Sequence, residues 1–392
     1  MWQKPWRFAE GAAIAIGLLI VGLLLQLTLG PIDWQLFAFP INVILFILYM
    51  LVLGVLYAVH RRFYVIQWTM TLTAAVPSLV AGVFVTLIMA LFGWDFMLSS
   101  WPFVLIYVWL MTILGLTTIR RVLHLTRGSL LHNISFVCNH TGLFLAMVCG
   151  TLGFADMQRL EMTVRVGSPE WRAVDAQSPD HIVHELPLAL ELHSFTIDEY
   201  PPKYVIIDNA TGQVINDAPW TLQADTLYDY AAIVYGATDA AGNDITRYTE
   251  WHSMGATTAA HIVATHTADP ALQVEGWVSC GSFMFPYKAL PLDAHSSAVM
   301  PEREPRRFAS DVTVYTEGGK EQRATIEVNH PLEIDGWKIY QLSYDEKLGR
   351  WSDSSVFELV RDPWLPGVYL GIFMMLAGAV LTFVTAGRSD QR

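Results

Sequence analysis

The chain has 392 residues, of which 53% are hydrophobic and only 15% charged, and its mean hydropathy is +0.37. Soluble domains carry roughly 25% charged residues, so this composition excludes a purely soluble protein and calls for membrane spans. The net charge of −12 is unevenly placed: residues 155–363 hold 15 Lys and Arg against 32 Asp and Glu, which excludes nucleic acid as a partner because nothing there neutralises phosphate.

In chain order, six apolar runs are long enough to cross about 30 Å of hydrocarbon. They lie near residues 9–29, 38–59, 72–92, 102–119, 134–154 and 365–386. The first is too long for a signal-peptide core and lacks a small-residue cleavage site, so it is expected to stay as a span. The second contains INVILFILYMLVLGVLYAV without a charge. The third contains Pro77 and Gly82, which spanning helices tolerate.

The connecting loops set the orientation. Lys4 and Arg7 precede span one, Arg61 and Arg62 follow span two, Arg120, Arg121 and Arg127 follow span four, and Arg388 and Arg392 follow span six. The short loops on the opposite side contain Asp33 and Asp95 and no Lys or Arg. The excess of positive charge on one side predicts that both termini are cytoplasmic. The acidic segment is then extracytoplasmic, and periplasmic in a cell with two membranes. Trp34, Trp94, Trp101 and Trp364 fall at the outer boundaries, where an aromatic belt sits.

Between spans five and six the pattern changes period. Residues 187–197, 203–208, 310–316 and 323–329 alternate apolar and polar side chains, as half-buried strands do. Turn signals separate them at 211–213, 241–244 and 317–321. The stretch from about 215 to 300 is less periodic and reads as an insertion with some helix. The expected fold is a polytopic α-helical membrane protein of about six transmembrane helices, with a large β-rich extracytoplasmic domain inserted before the last helix. Its parts are a five-helix region at 1–154, the outer domain at 155–363, and a closing helix with a short tail at 364–392.

Common enzyme signatures are absent: there is no GxSxG, P-loop, HExxH or CxxCH. Cys138, Cys149 and Cys280 form no CxxC. Cys138 and Cys149 are about 16 Å apart along one helix, too far to bridge, and read as small buried hydrophobes. In the outer domain, His181 with His184 and His261 with His266 have spacings that a helix could turn into a metal chelate, but no carboxylate or cysteine pattern joins them. His60, His124 and His132 lie in or beside basic loops and read as interfacial. His140 stands inside span five, in FVCNHTGLFLAMVCGTLG. Ionisable residues within a span usually face the bundle interior or a cavity. A neutral imidazole bonded to a neighbouring helix and a heme-iron ligand both fit that position. Phe136, Phe144 and Met147 lie near the same helical face.

Several segments carry a resemblance: IEVNHPLEIDGWKIYQLSYD at 326–345, VFELVRDPWLPGVYLGIFMMLAG at 356–378, NHTGLF and GTLGFAD around span five, and LPLALELHSFTIDEYPP at 186–202. They resemble the ResB (CcsB) family of System II cytochrome c biogenesis. This chain has five spans before the outer domain where the common form has three, as if a hairpin were added. The resemblance implies a subunit that works with a CcsA-type membrane partner to export heme b and support its thioether attachment to the CxxCH thiols of apocytochrome c. The partner's tryptophan-rich heme motif is missing here, so this chain corresponds to one half of a holocytochrome c synthase. Catalysis is then shared with or carried by the partner, and no residue of this chain is expected to be catalytic. The family's heme-ligating histidine maps onto His140, as axial ligand to the heme iron. Asn329, His330, Pro331, Gly336, Tyr340, Gln341, Asp362 and Pro363 match the family pattern in the outer domain. The implied location is the bacterial inner membrane. The competing expectations are a scaffold that docks apocytochrome c and braces the partner without binding heme, and a transporter of some other solute, which the scarcity of intramembrane charge disfavours.

Overall fold

In a computed structural model of the chain, the described residues are 2–92, 98–124, 130–175, 181–238 and 245–389. The expectations for Trp94, Asp95, Arg127, Arg392 and the turn at 241–244 fall outside them. Two compact units form: Met1–Gln158 with Arg361–Arg392, and Arg159–Val360.

The first unit is helical: α1 (Phe8–Leu29), α2 (Ile41–Val59), α3 (Tyr64–Thr69), α4 (Leu72–Phe92), α5 (Trp101–Leu123), α6 (Leu130–Gly153) and α7 (Leu365–Ser389). All but α3 are long and apolar enough to span a membrane, and at most 28% of each one's most apolar stretch is buried within the protein. Outward faces of that kind are solvated by hydrocarbon rather than water. The protein is therefore a polytopic membrane protein. The short helix α3 was not foreseen; its Trp68 is 2% exposed and packs its ring edge-on against Trp6.

The spans alternate in direction. At one end, the Trp101 indole donates to the Gly30 carbonyl (3.1 Å), and Trp34 packs edge-on to Phe154. Asp156 gathers three segments there. Its carboxylate accepts from the Phe39 amide (2.7 Å), the Asn42 side chain (2.7 Å) and the Trp364 indole (2.7 Å). Burial pushes the Asp156 carboxyl up, but these donors outweigh it and hold the group below its usual range. At the other end, Lys4 lies 4.6 Å over the Tyr64 ring and Tyr57 meets His124. Trp34, Trp101 and Trp364 thus cluster at the end opposite the basic loops.

Helices α6 and α7, which flank the outer domain in sequence, form the closest seam. A Cβ on Gly142 would stand 2.5 Å from the Gly371 carbonyl oxygen, and one on Gly378 would stand 2.6 Å from Asn139 Oδ1. Small residues let helix backbones approach this closely in lipid. Ser135 adds a hydrogen bond to the Gly378 carbonyl (2.8 Å).

The second unit is β-structure. An eight-stranded sheet runs in the order β12-β11-β3-β2-β1-β15-β14-β13. Its strands are β1 (Gln158–Arg165), β2 (Glu170–Val174), β3 (Val183–Glu199), β11 (Pro305–Thr316), β12 (Glu321–Glu327), β13 (Leu332–Ile334), β14 (Trp337–Tyr344) and β15 (Ser354–Arg361). The sheet is nearly closed, because its edges meet where Glu327 bridges His330. One core fills it, with Leu190, Leu192, Val312, Trp337 and Phe357 at 0–2% exposure. Alternation in β3 buries Leu188, Leu190 and Leu192, then skips to Phe195. The extra residue is His193, where the pairing with β11 shifts between Ser194–Asp311 and Leu192–Val312.

Residues 200–304 leave β3 and return to its neighbour β11, so they are an insertion in the sheet topology. They form β4 (Val205–Asp208), β9 (Leu290–Pro291) and β10 (Ser296–Val299) in one small sheet, and β5 (Trp220–Val234), β6 (Arg247–Glu250), β7 (Thr257–His266) and β8 (Gln273–Ser279) in another. Both sheets share a core around Trp220, Ile262, Val278 and Met300. The expectation of some helix here is not met: among the described residues of 215–300 there is none. Alternation is weak because β7 is buried on both faces at its start, reading Thr-Thr-Ala-Ala.

One polar group interrupts the larger core. Ser310 Oγ donates to Gln341 Oε1 (2.6 Å) and lies 2.8 Å from Ser355 Oγ, tying β11, β14 and β15 together. Gln341→Leu should remove the acceptor of the Ser310 hydroxyl, leave the two serines with only each other, and cost about 1–3 kcal/mol, read as a lower denaturant midpoint for the outer domain of the full chain; an unchanged midpoint would show that the network contributes nothing to stability.

Candidate functional site

His140 lies on α6 where four helices line a half-open apolar cavity of about 860 Å³. Cofactor sites commonly enclose roughly 300–1,000 Å³. Each helix lines it with residues three or four apart: Leu72, Ala75 and Leu79 on α4; Leu110, Ile113 and Thr117 on α5; Phe136, His140, Leu143 and Met147 on α6; Ile372, Met375 and Ala379 on α7. That spacing is the one that keeps side chains on one face of a helix. His140 is the one ionisable side chain among the lining residues.

The imidazole is held in a defined state. Its Nδ1 lies 3.0 Å from the Phe136 carbonyl oxygen, which can only accept, so Nδ1 carries the proton. In the neutral ring Nε2 then keeps its lone pair, and it has no hydrogen bond among the described residues. This is the arrangement in which histidine binds a metal, with the second nitrogen fixing ring and tautomer. The Phe136 ring stacks on the imidazole, with centroids 3.7 Å apart and planes 16° apart.

Of the three residues expected near His140, Phe136 and Met147 share the cavity and Phe144 does not. Phe144 stacks on Tyr49 of α2 instead, at 6.4 Å and 11°. Gly115 of α5 makes the room, since a Cβ there would stand 3.0 Å from the Phe144 ring. Cys149 is turned away from His140, packed against Gly367 of α7.

Two further hollows lie along the bundle. A second hollow of about 350 Å³ shares Leu79, Leu110 and Met147 with it and extends past Gly82 to Phe103 and Tyr107. A third, of about 160 Å³, shares Phe103 and Tyr107 and ends at Trp34, Gly150 and Phe154. Three apolar hollows with shared walls therefore lie in series from the His140 level to the tryptophan end. Tyr107 is a wall common to the second and third hollows, its hydroxyl donating to the Met147 carbonyl (3.1 Å).

In the outer unit the histidine pairs lie on or beside strands, not helices. His184 is in β3, while His261 and His266, five apart in β7, project from opposite faces. His261 faces Asp225 at 3.0 Å, and the His266 ring meets Trp220 edge-on. No group of three or more metal-capable side chains exists among the described residues.

The motif residues of the outer domain have structural posts. Asn329 takes a left-handed φ of 66° in the turn Glu327–His330. Asp335 and Gly336, at φ 46° and 83°, form the two-residue hairpin joining β13 to β14. Asp362 accepts from the Trp364 and Leu365 amides, both at 3.0 Å, and so starts α7.

Residues 283–353 match the family model of the ResB-like family. The match bears out the resemblance read from 326–345, and it reaches back through β10 into the stretch whose periodicity was weakest. It connects the chain with cytochrome c biogenesis. Among curated proteins, none matches the chain by sequence.

The α6–α7 seam fixes where His140 stands, so Gly371→Leu should wedge the helices apart. The expected result is a loss of several degrees in melting temperature for the purified full chain; unchanged melting would show that the seam yields without cost.

Proposed function

We propose that this chain is the heme-handling half of a System II cytochrome c synthetase in a bacterial inner membrane, with its basic end cytoplasmic and its acidic domain periplasmic. The observation that carries this reading is His140: an imidazole whose Nδ1 is held by a carbonyl and whose Nε2 is uncommitted, lining an apolar cavity of cofactor size. Heme b is the substrate rather than a resident cofactor. The porphyrin face suits the aliphatic and aromatic lining, and the iron takes a nitrogen ligand. The cavity reaches Met70, Thr71 and Leu72 at the basic end of α4, the side on which cytoplasmic heme would enter.

A CcsA-type membrane protein would supply the second axial ligand and the remaining wall. The series of apolar hollows would give the substrate a route past Tyr107 toward the tryptophan end. There, attachment adds each cysteine S–H of a CxxCH apocytochrome across a vinyl C=C bond, so neither an oxidant nor a leaving group is needed. This chain contributes position and orientation to that addition.

A scaffold reading draws on a different observation. Asn329, Gly336 and Gln341 build turns and a buried network rather than presenting reactive groups. On that reading the outer domain docks apocytochrome c and His140 only packs.

The two are separated by the absorption spectrum of the full chain purified with its partner. His140→Ala should remove the heme Soret band and reduce c-type cytochrome yield by about tenfold or more, as loss of a metal ligand does. Normal heme content and yield in that variant would leave the scaffold reading standing.

The route has its own test. A Cβ on Gly150 meets nothing within 4 Å, so a large side chain can be added without displacing backbone. Gly150→Trp should fill the third hollow, leave heme bound at His140, and lower cytochrome yield. Unchanged yield would exclude this path.

A further inference from the structure

Arg121 lies against Phe136, a wall residue of the His140 cavity. It follows Thr117, a cavity-lining residue, by four positions, one helical turn nearer the basic end of α5. Its neighbour Arg120 is exposed, whereas Arg121 is half-buried. The guanidinium lies 5.2 Å from the centroid of the Phe136 ring, the same ring that stacks on His140. One terminal nitrogen donates to Asn133 Oδ1 at 2.9 Å. Nε is buried without a hydrogen-bond partner, and no carboxylate pairs with the group among the described residues.

A buried guanidinium nitrogen without an acceptor is costly to keep, and arginine's planar fork matches a carboxylate better than any other partner. We infer that Arg121 is a carboxylate anchor at the basic end of the His140 cavity, and that the carboxylate it takes is a propionate of the bound porphyrin. This rests on His140 as the iron ligand. The propionates of heme b lie on one edge of the macrocycle and the vinyls toward the other. Anchoring the propionate edge at Arg121 turns the vinyl edge toward the hollows lined by Tyr107. Arg121 is therefore a positioning residue: it sets which edge leads. A phospholipid phosphate at the membrane surface is the competing partner, and it makes no distinction between porphyrins.

The experiment is a titration of the full-length protein in detergent with hemin and, separately, with hemin dimethyl ester, whose propionates carry no charge. Arg121→Gln is expected to weaken hemin binding on the order of tenfold and to leave ester binding as in the unaltered chain, with Arg121→Lys recovering part of the difference. Equal weakening of both porphyrins, or no change in either, would overturn the anchor. Asn133→Ala removes the amide partner and keeps the charge, so it should preserve the hemin-to-ester ratio; if it erases the ratio as Arg121→Gln does, Arg121 acts through packing and the proposal fails. His140→Ala reads the underlying assignment separately, because it should abolish the iron–imidazole spectrum with both porphyrins. A hemin preference that depends on Arg121 but survives with an unaltered spectrum in His140→Ala would refute the iron ligand alone. Binding of neither porphyrin by the unaltered chain would refute both.

Discussion

The contact between α6 and α7 is the constraint on which the membrane unit depends. These helices stand on either side of a domain of some two hundred residues in sequence, yet their backbones meet at Gly142, Gly371 and Gly378 more closely than any side chain would permit. Lipid offers no hydrophobic drive for helix association, so close van der Waals contact between small residues carries it. The seam fixes the rotation of α6. Once that is set, Phe136, His140, Leu143 and Met147 line the cavity, while Phe144 turns to Tyr49 and Cys149 packs on Gly367. Asp156 completes the arrangement at the tryptophan end by taking hydrogen bonds from the starts of two other spans.

The outer unit solves a different problem with the same economy. A long antiparallel sheet would expose two edges, and pairing groups at an open edge invite association with other chains. Here the sheet curls until β12 and β13 meet through the turn at Glu327–His330, which Asn329 makes possible by taking a left-handed conformation. The Asn-His-Pro-Leu motif that carried the family resemblance is thus the hinge of that closure. The inserted strands from 200 to 304 add a second core without disturbing the first, because they leave and re-enter between paired neighbours.

Legibility differed by the kind of information involved. All six spans were readable because hydrocarbon thickness demands an uninterrupted apolar run, and a run is a local property. Strands β3, β11 and β12 were readable from alternation. The His193 bulge, the strandedness of 215–300 and the short helix α3 were not, since each depends on what packs against it. His140 was legible as an ionisable group within a span, and Phe136 and Met147 as its face-mates. Phe144 was misplaced because a 40° offset leaves a side chain at the edge of a face, and only Gly115 across the way decides where it falls.

The sequence by itself determined the membrane character, the number of spans, the separation of basic and tryptophan ends, and the existence of one acidic β-rich domain before the last helix. Each follows from composition or periodicity within a single segment. The tertiary structure decided that four helices line one cavity at His140, that Nδ1 is committed to a carbonyl while Nε2 is not, and that Arg121 is half-buried while Arg120 is exposed. These are relations between residues distant in the chain, set by how closely helices can approach, and no local pattern encodes that distance.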